Sequence, residues 1–374
     1  MKYKRIRYGG ALCELSVFCG AWRERHAMLH VTDTELDFRE QVGLLHDLFH
    51  VVLEEECGGM TCAALARVFL SDAANQRAVV EETFKDFAGC PFSIVEQPPL
   101  DGSKVAIWVW MMDGVEPCRT LDGMMGLSRG GYRHLFCAGR NTSGVDSYGE
   151  TVSLLEDYAG KLRNEGLSLD ANCLRTWFFV RDIDSNYGGM VRGRNDVFAR
   201  EGLTEDTHFI ASTGIGGRHS DPGVSVLMDA YAVGGLKEGQ VRYLYAPTHL
   251  NRTAEYGVSF ERGVCVDYPE GSLRQVMISG TASIDNRGAV VFPGDIRRQM
   301  ERMAENVEAL LKEGGCGWGD VQMMIVYLRD ISDRDVVMPW FRKCFGRVPH
   351  VFVYGRVCRP GWLIEMEVMA ACKL

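Results

Sequence analysis

One order of elements occurs three times along this chain of 374 residues, and no other feature constrains the fold as tightly. Each copy opens on a strand that ends in small residues: "LSVFCGAW" at 15–22, "RHLFCAGR" at 133–140 and "QVMISGTA" at 275–282. An amphipathic helix follows at 38–55, 148–166 and 294–315. In the last of these, Ile296, Met300, Met303, Val307, Leu310 and Leu311 recur at helical spacing. Next comes a strand closing on an aspartate, "ARVFLSD", "RTWFFVRDI" and "MMIVYLRDI", then a short helix containing a phenylalanine. Two strands end each copy, the last at 103–112, 224–233 and 362–370. The unit reads β-α-β-α-β-β and is about 110–125 residues long.

The repeat sets the domain boundaries at 1–112, 131–233 and 257–374. The Gly-rich stretch at 112–131 reads as a linker, and 234–257 as a longer connection with room for a strand. Helices laid on one face of a mixed sheet give an α+β layer architecture. Three such units in one chain close most simply into a pseudo-threefold ring, a pseudo-trimer.

Composition narrows the function. With 46% hydrophobic and 24% charged residues the chain reads as a soluble globular protein, and no apolar run is long enough to span a bilayer. The N-terminus lacks a signal-peptide pattern. Thirteen cysteines at scattered spacings, with no CxxC pair, read as reduced thiols in a cytoplasmic protein rather than as a metal ribbon. A net charge of −9 argues against a nucleic-acid surface. An anionic small-molecule substrate therefore needs a local arginine cluster working against the overall field.

The last strand, in "CRPGWLIEMEVMA" (358–370), carries the sharpest candidate. Alternation puts Glu365 and Glu367 on one face. Aligning the three terminal strands sets Ile107 and Leu227 opposite Glu365, but Asp229 opposite Glu367. Glu365 is thus an acid at a position its sister strands fill with aliphatics, which marks a single specialised pocket; Glu367 reads as scaffold. Ser212, Thr213 and Gly214 lie in "ASTGIGG", read as a Gly-rich turn whose N–H groups are able to meet an anion. Cys358 is a pocket wall or a polar participant, and Tyr187 a candidate hydroxyl for substrate. His46 and His50, four residues apart on a helix, have metal-ligand spacing, but no third ligand is in view, so no metal is expected.

The third copy, in "ISGTASIDNRGAVVFPGDIRRQMERMAENVEALL", "VYLRDISD" and "IEMEVMA", resembles the reactive-intermediate deaminase (YjgF-like) family, with its chorismate-mutase-like α/β module. The whole chain is similar to the chorismatases, in which three such modules are fused. The narrower likeness rests on "SFERG" (259–263), "PHVFVYGRVCR" (349–359), "LIEME" (363–367), "GR" (193–194) and "ASTGIG" (211–216). His350 stands where the deaminases carry a carboxylate-binding arginine. The resemblance implies an enzyme without cofactor that hydrolyses the enolpyruvyl ether of chorismate, or of a related diacid, to release pyruvate. Glu365 would be its acid/base, Arg194 and Arg359 its carboxylate clamps, and the second and third modules would hold the site. It also implies a degenerate, structural first module, no nucleic-acid or membrane partner, and a monomer or loose dimer. An imine deaminase and a non-catalytic binding protein on the same fold are the alternatives.

Overall fold

The computed structural model describes residues 1–57, 61–87 and 89–374. The chain folds into three six-stranded mixed sheets. The first comprises Lys2–Tyr8 (β1), Ala11–Cys19 (β2), Arg23–Val31 (β3), Thr61–Leu70 (β4), Phe92–Glu96 (β5) and Val105–Asp113 (β6). The second comprises Glu116–Cys118 (β7), Met125–Arg129 (β8), Tyr132–Asn141 (β9), Cys173–Val180 (β10), Ala211–Gly216 (β11) and Val226–Gly234 (β12). The third comprises Val241–Leu244 (β13), Gly263–Tyr268 (β14), Leu273–Ala282 (β15), Val321–Leu328 (β16), His350–Tyr354 (β17) and Ile364–Cys372 (β18). All three have the same strand order, which for the third is β13-β14-β15-β18-β16-β17. The expected threefold repeat is therefore one topology built three times.

Each module has three strands ahead of its first helix where the sequence reading has one. In the second and third modules the added strands lie at and beside one sheet edge; in the first, where "LSVFCGAW" is β2, they are the edge strand β1 and the inner strand β3. β7 and β13 span only three and four residues, and β1 is exposed along most of its length, so none shows a strong alternation. The helices are Phe38–Glu56 (α1), Ala73–Thr83 (α2), Ser147–Asn164 (α3), Leu169–Asn172 (α4), Ile183–Arg200 (α5), Ile296–Glu313 (α6) and Arg334–Phe345 (α7). Aspartate caps start the long ones: Asp37 forms a capping box with Glu40, and Asp295 accepts from the Arg298 N–H. The segment read as a short helix in the middle copy is the 18-residue α5, which begins at Ile183 and carries both Tyr187 and Arg194.

The modules are stitched to one another through the backbone. Isolated bridges join Glu96 to Arg218, Pro99 to Val353, Ala211 to Glu261 and Ile215 to Val357, so each module touches both others. Among the described residues, no helix is long and apolar enough to cross a membrane.

At the centre, where the three sheets meet, a polar cluster is sealed among aromatic rings. Glu367 accepts from five donors: Arg67 Nη1 (3.3 Å), Arg175 Nη2 (2.8 Å), Trp177 Nε1 (2.9 Å), the Thr213 hydroxyl (2.7 Å) and the Tyr327 hydroxyl (3.1 Å). Arg67 also donates to Asp229 at 2.9 Å, and its guanidinium lies 4.8–5.2 Å from the ring centroids of Trp108, Trp177 and Phe179. Asp229 completes its set with the Gly139 N–H at 2.7 Å. Glu367 and Asp229 thus share one cation from the first module, which is the scaffold role their alignment suggested.

Candidate active site

Strand pairing fixes which residues correspond between modules. Leu70, Val180 and Leu328 pair with Val105, Val226 and Ile364, the first residues of β6, β12 and β18. Counting from there, Glu365 corresponds to Leu227 as expected, but to Ala106 rather than Ile107. Glu367 corresponds to Asp229 and Trp108. The one-residue correction leaves the conclusion intact: one acid at this position among three modules.

Glu365 is 4% exposed, yet its carboxyl forms no hydrogen bond or ion pair among the described residues. Space for it comes from a bulge in β15 between Ile278 and Thr281. A Cβ on Gly280 would stand 2.0 Å from Glu365 Oε1 and 3.1 Å from Thr213 Cγ2, so only glycine leaves room for the acid there. Burial, and then the neighbouring Glu367 charge, push the Glu365 pKa up to about 8, against smaller opposing effects of Arg262 and Arg175. At neutral pH this side chain is a carboxylic acid.

Around it lies a small pocket at the junction of the second and third modules. Seven of the eight residues that the sequence assigns to catalysis or substrate binding line it: Tyr187 and Arg194 from α5, Ser212 and Gly214 from β11, and Cys358, Arg359 and Glu365. Thr213 does not. Alternation along β11 turns its side chain to the far side, onto Glu367 at 2.7 Å. The "ASTGIG" stretch is a strand paired in parallel with β10, not an anion-binding turn, and its amides are engaged: Ser212 N–H with Ser279 Oγ (2.9 Å) and Gly216 N–H with the Arg356 carbonyl (2.9 Å).

Three arginines line the pocket, and none has an acidic partner within the described chain. Arg194 is 1% exposed, and its Nε and Nη2 find no hydrogen-bond acceptor. Arg359 lies 4.6 Å from the Tyr256 ring centroid and 5.2 Å from that of Trp362, whose own buried Nε1–H is also unpartnered. Arg262 is the third, overlooked in the sequence although "SFERG" contains it; it donates through Nε and Nη2 to the Asn251 carbonyl at 3.3 and 3.2 Å. Arg194 and Arg359 are the two left free for a ligand. Orphaned donors this deep are rare in folded proteins and mark a place where an acceptor belongs.

The Cys358 thiol is pushed up to about 12 by burial and by Glu365, so it is protonated at neutral pH and is no thiolate nucleophile. Burial and the adjacent thiol push the Tyr187 hydroxyl well above its ordinary range. Both are neutral dipoles in the pocket wall. His350 lies elsewhere, between the third and first modules, with Nδ1 2.7 Å from the Val348 carbonyl. Strand register makes Ser212 its counterpart at the Glu365 pocket, since Met324 pairs with His350 and Thr176 with Ser212.

The raised Glu365 pKa gives a stability test. Between its ordinary value of 4.5 and about 8, the folded state holds a proton that the unfolded state has released. Wild-type stability should therefore fall as pH rises through that window, while Glu365→Gln is spared this loss. We expect the melting temperature of the variant to gain on wild type from pH 5 to about 8 and to level off above that. The full effect is a few kcal/mol at most, each pH unit of separation being worth roughly 1.4 kcal/mol. Parallel curves across that range would show that Glu365 ionises freely.

Comparison with known proteins bears on this geometry. The endoribonuclease L-PSP family model matches residues 267–372, the third module. A RutC family protein of Pyrococcus abyssi is 33% identical over 97 residues, covering 25% of this chain and 76% of the relative. The 2-iminobutanoate/2-iminopropanoate deaminase of Rattus norvegicus is 27% identical over 114 residues, covering 30% and 79%. Among solved structures, a chorismatase crystal structure aligns with 83% of this chain and 93% of its own, with a TM-score of 0.63 and 21% identity. That likeness is one of fold and extends over all three modules.

Proposed function

The chain belongs to the RutC family through its third module, and from that premise we propose that it is a chorismatase-like hydrolase, cleaving the enolpyruvyl ether of chorismate or a closely related diacid. The observation that carries this reading is the coincidence, in one pocket, of a carboxylic acid neutral at pH 7 and two arginines without an acidic partner among the described residues.

An enolpyruvyl ether is cleaved by water once its terminal methylene carbon is protonated. Glu365 delivers that proton, and the vinyl carbon bearing the ether oxygen becomes an oxocarbenium centre. Water adds there, losing a proton to the Glu365 carboxylate just formed. The resulting hemiketal collapses to pyruvate and the ring alcohol, so one water is consumed and the acid is regenerated. A general acid works best with a pKa near the working pH, and burial supplies that here. Arg194 and Arg359 hold the two carboxylates bidentately, which a lysine ammonium does not do. Ser212, Cys358 and Tyr187 are hydrogen-bonding dipoles for the ring oxygens or the water.

A second reading, imine hydrolysis to a keto acid and ammonia, is favoured by the name of the rat relative. Incubation with chorismate, and separately with an imine generated from an amino acid, separates the two: pyruvate from the first supports the ether hydrolase, ammonia from the second the deaminase. Product from neither would leave a binding protein. NMR of the ring product then distinguishes a dihydroxycyclohexadienoate from a hydroxybenzoate. Arg194→Lys and Arg359→Lys should each lower kcat/KM for chorismate by about 10–100-fold, mainly through KM, as loss of one bidentate carboxylate contact demands. Unchanged KM in both would remove the arginines from this role.

A further inference from the structure

None of the described residues of the first module lines that pocket, but the module holds a cluster of ligating side chains with no part in the proposed chemistry. His46 and His50 occupy one face of α1. The fold brings up what their sequence spacing lacked, a third ligand, Asp86, from the single turn Lys85–Phe87 that follows α2. His46 Nε2 lies 3.0 Å and His50 Nε2 2.9 Å from the same Asp86 Oδ2, and the three ligand atoms all lie within 4.8 Å of one another. The edge of a tetrahedron with bonds near 2.1 Å is roughly 3.4 Å, so small side-chain rotations suffice to seat an ion among them.

The rings are held in that attitude from behind. Phe87 lies 4.6 Å from the His50 ring and 5.5 Å from the His46 ring, centroid to centroid, and itself packs on Phe49 at 4.6 Å. Phe84 meets His46 edge-on at 5.4 Å. Asp47 Oδ1 stands 3.3 Å from His46 Nδ1, an acceptor for the ring proton once Nε2 turns its lone pair to an ion; without one, Nε2 lies 3.1 and 3.0 Å from the two Asp86 oxygens. A carboxylate behind a ligating imidazole is the usual support of a metal-binding histidine.

The geometry points to a binding site for one divalent transition-metal ion of the zinc class, held by His46 Nε2, His50 Nε2 and an Asp86 oxygen, and tying α1 to the α2–β5 connection. Two imidazole nitrogens and one carboxylate suit zinc, cobalt or nickel, and not the all-oxygen preference of calcium or magnesium. The His50 and Asp86 side chains are 44% and 45% exposed, so water has access to a fourth position.

Chelator-treated, reduced full-length protein titrated with zinc by calorimetry tests this. One equivalent should bind and raise the melting temperature. His46→Ala, His50→Ala and Asp86→Asn, all at the surface, should each weaken binding at least ~10-fold. Cys344→Ser, which removes the exposed thiol, should bind as wild type does. Cobalt should bind without the near-ultraviolet charge-transfer band of thiolate ligation. Zinc bound equally by wild type and the His46→Ala/His50→Ala double variant, a thiolate band, or no binding by wild type would each overturn the proposal. Chorismate turnover is not among these readouts, so either reading can fail alone.

Discussion

Replacing Glu365 by glutamine is expected to lower the rate of pyruvate release from chorismate by about 10²–10⁴-fold while changing KM little, the usual scale for loss of a general acid. Glutamine matches glutamate in shape, so it fits the space that Gly280 leaves, and it cannot give a proton to carbon. The wild-type rate should also fall above about pH 8, where Glu365 loses its proton, and the residual rate of the variant should lack that limb. The variant must melt no lower than wild type at pH 8, because it removes a buried group that is driven towards charge. A variant that releases pyruvate at the native rate would sink the assignment, and one that loses activity together with its fold would not support it.

Much of this was legible in the sequence because it was written three times. Comparison of copies turned one alternating strand into two distinguishable acids, and the structure separates them physically. Glu367 takes five hydrogen bonds, whereas Glu365 takes none among the described residues. The arginines were legible only through resemblance. Arg194 lies on a helix of the second module and Arg359 ahead of a strand of the third, and no spacing rule links them; the inter-module bridges do. Thr213 was misjudged because a run with two glycines suggests a turn, and only pairing with β10 reveals the alternation that faces it away. Arg262 was signalled only by its place in "SFERG". Asp86 could not be found from the His46–His50 spacing, since it comes 36 residues after His50 and arrives by tertiary packing.

The largest stability effect should come from neither site but from Arg67, the cation on which the three modules converge. Arg67→Met keeps the apolar volume against Trp108, Trp177 and Phe179 but removes the only side-chain donor to Asp229 among the described residues, where the Gly139 N–H is then all that remains. Glu367 loses one of its five donors in the same step. Breaking a buried ion pair from one side typically costs about 3–5 kcal/mol, because the charge left behind has no solvent to turn to. Set against a total stability of about 5–15 kcal/mol, this removes roughly a fifth of it at the least and all of it at the most. Urea unfolding of the purified variant, or its yield in the soluble fraction where it is too weak to purify, measures the loss. Neutralising the stranded acid with Asp229→Asn in the Arg67→Met background should recover much of the stability, although Asp229→Asn alone should destabilise. If Arg67→Met unfolds at the wild-type urea midpoint, the central cluster is not what fastens the three modules together, and the apolar contacts between the sheets must do so without it.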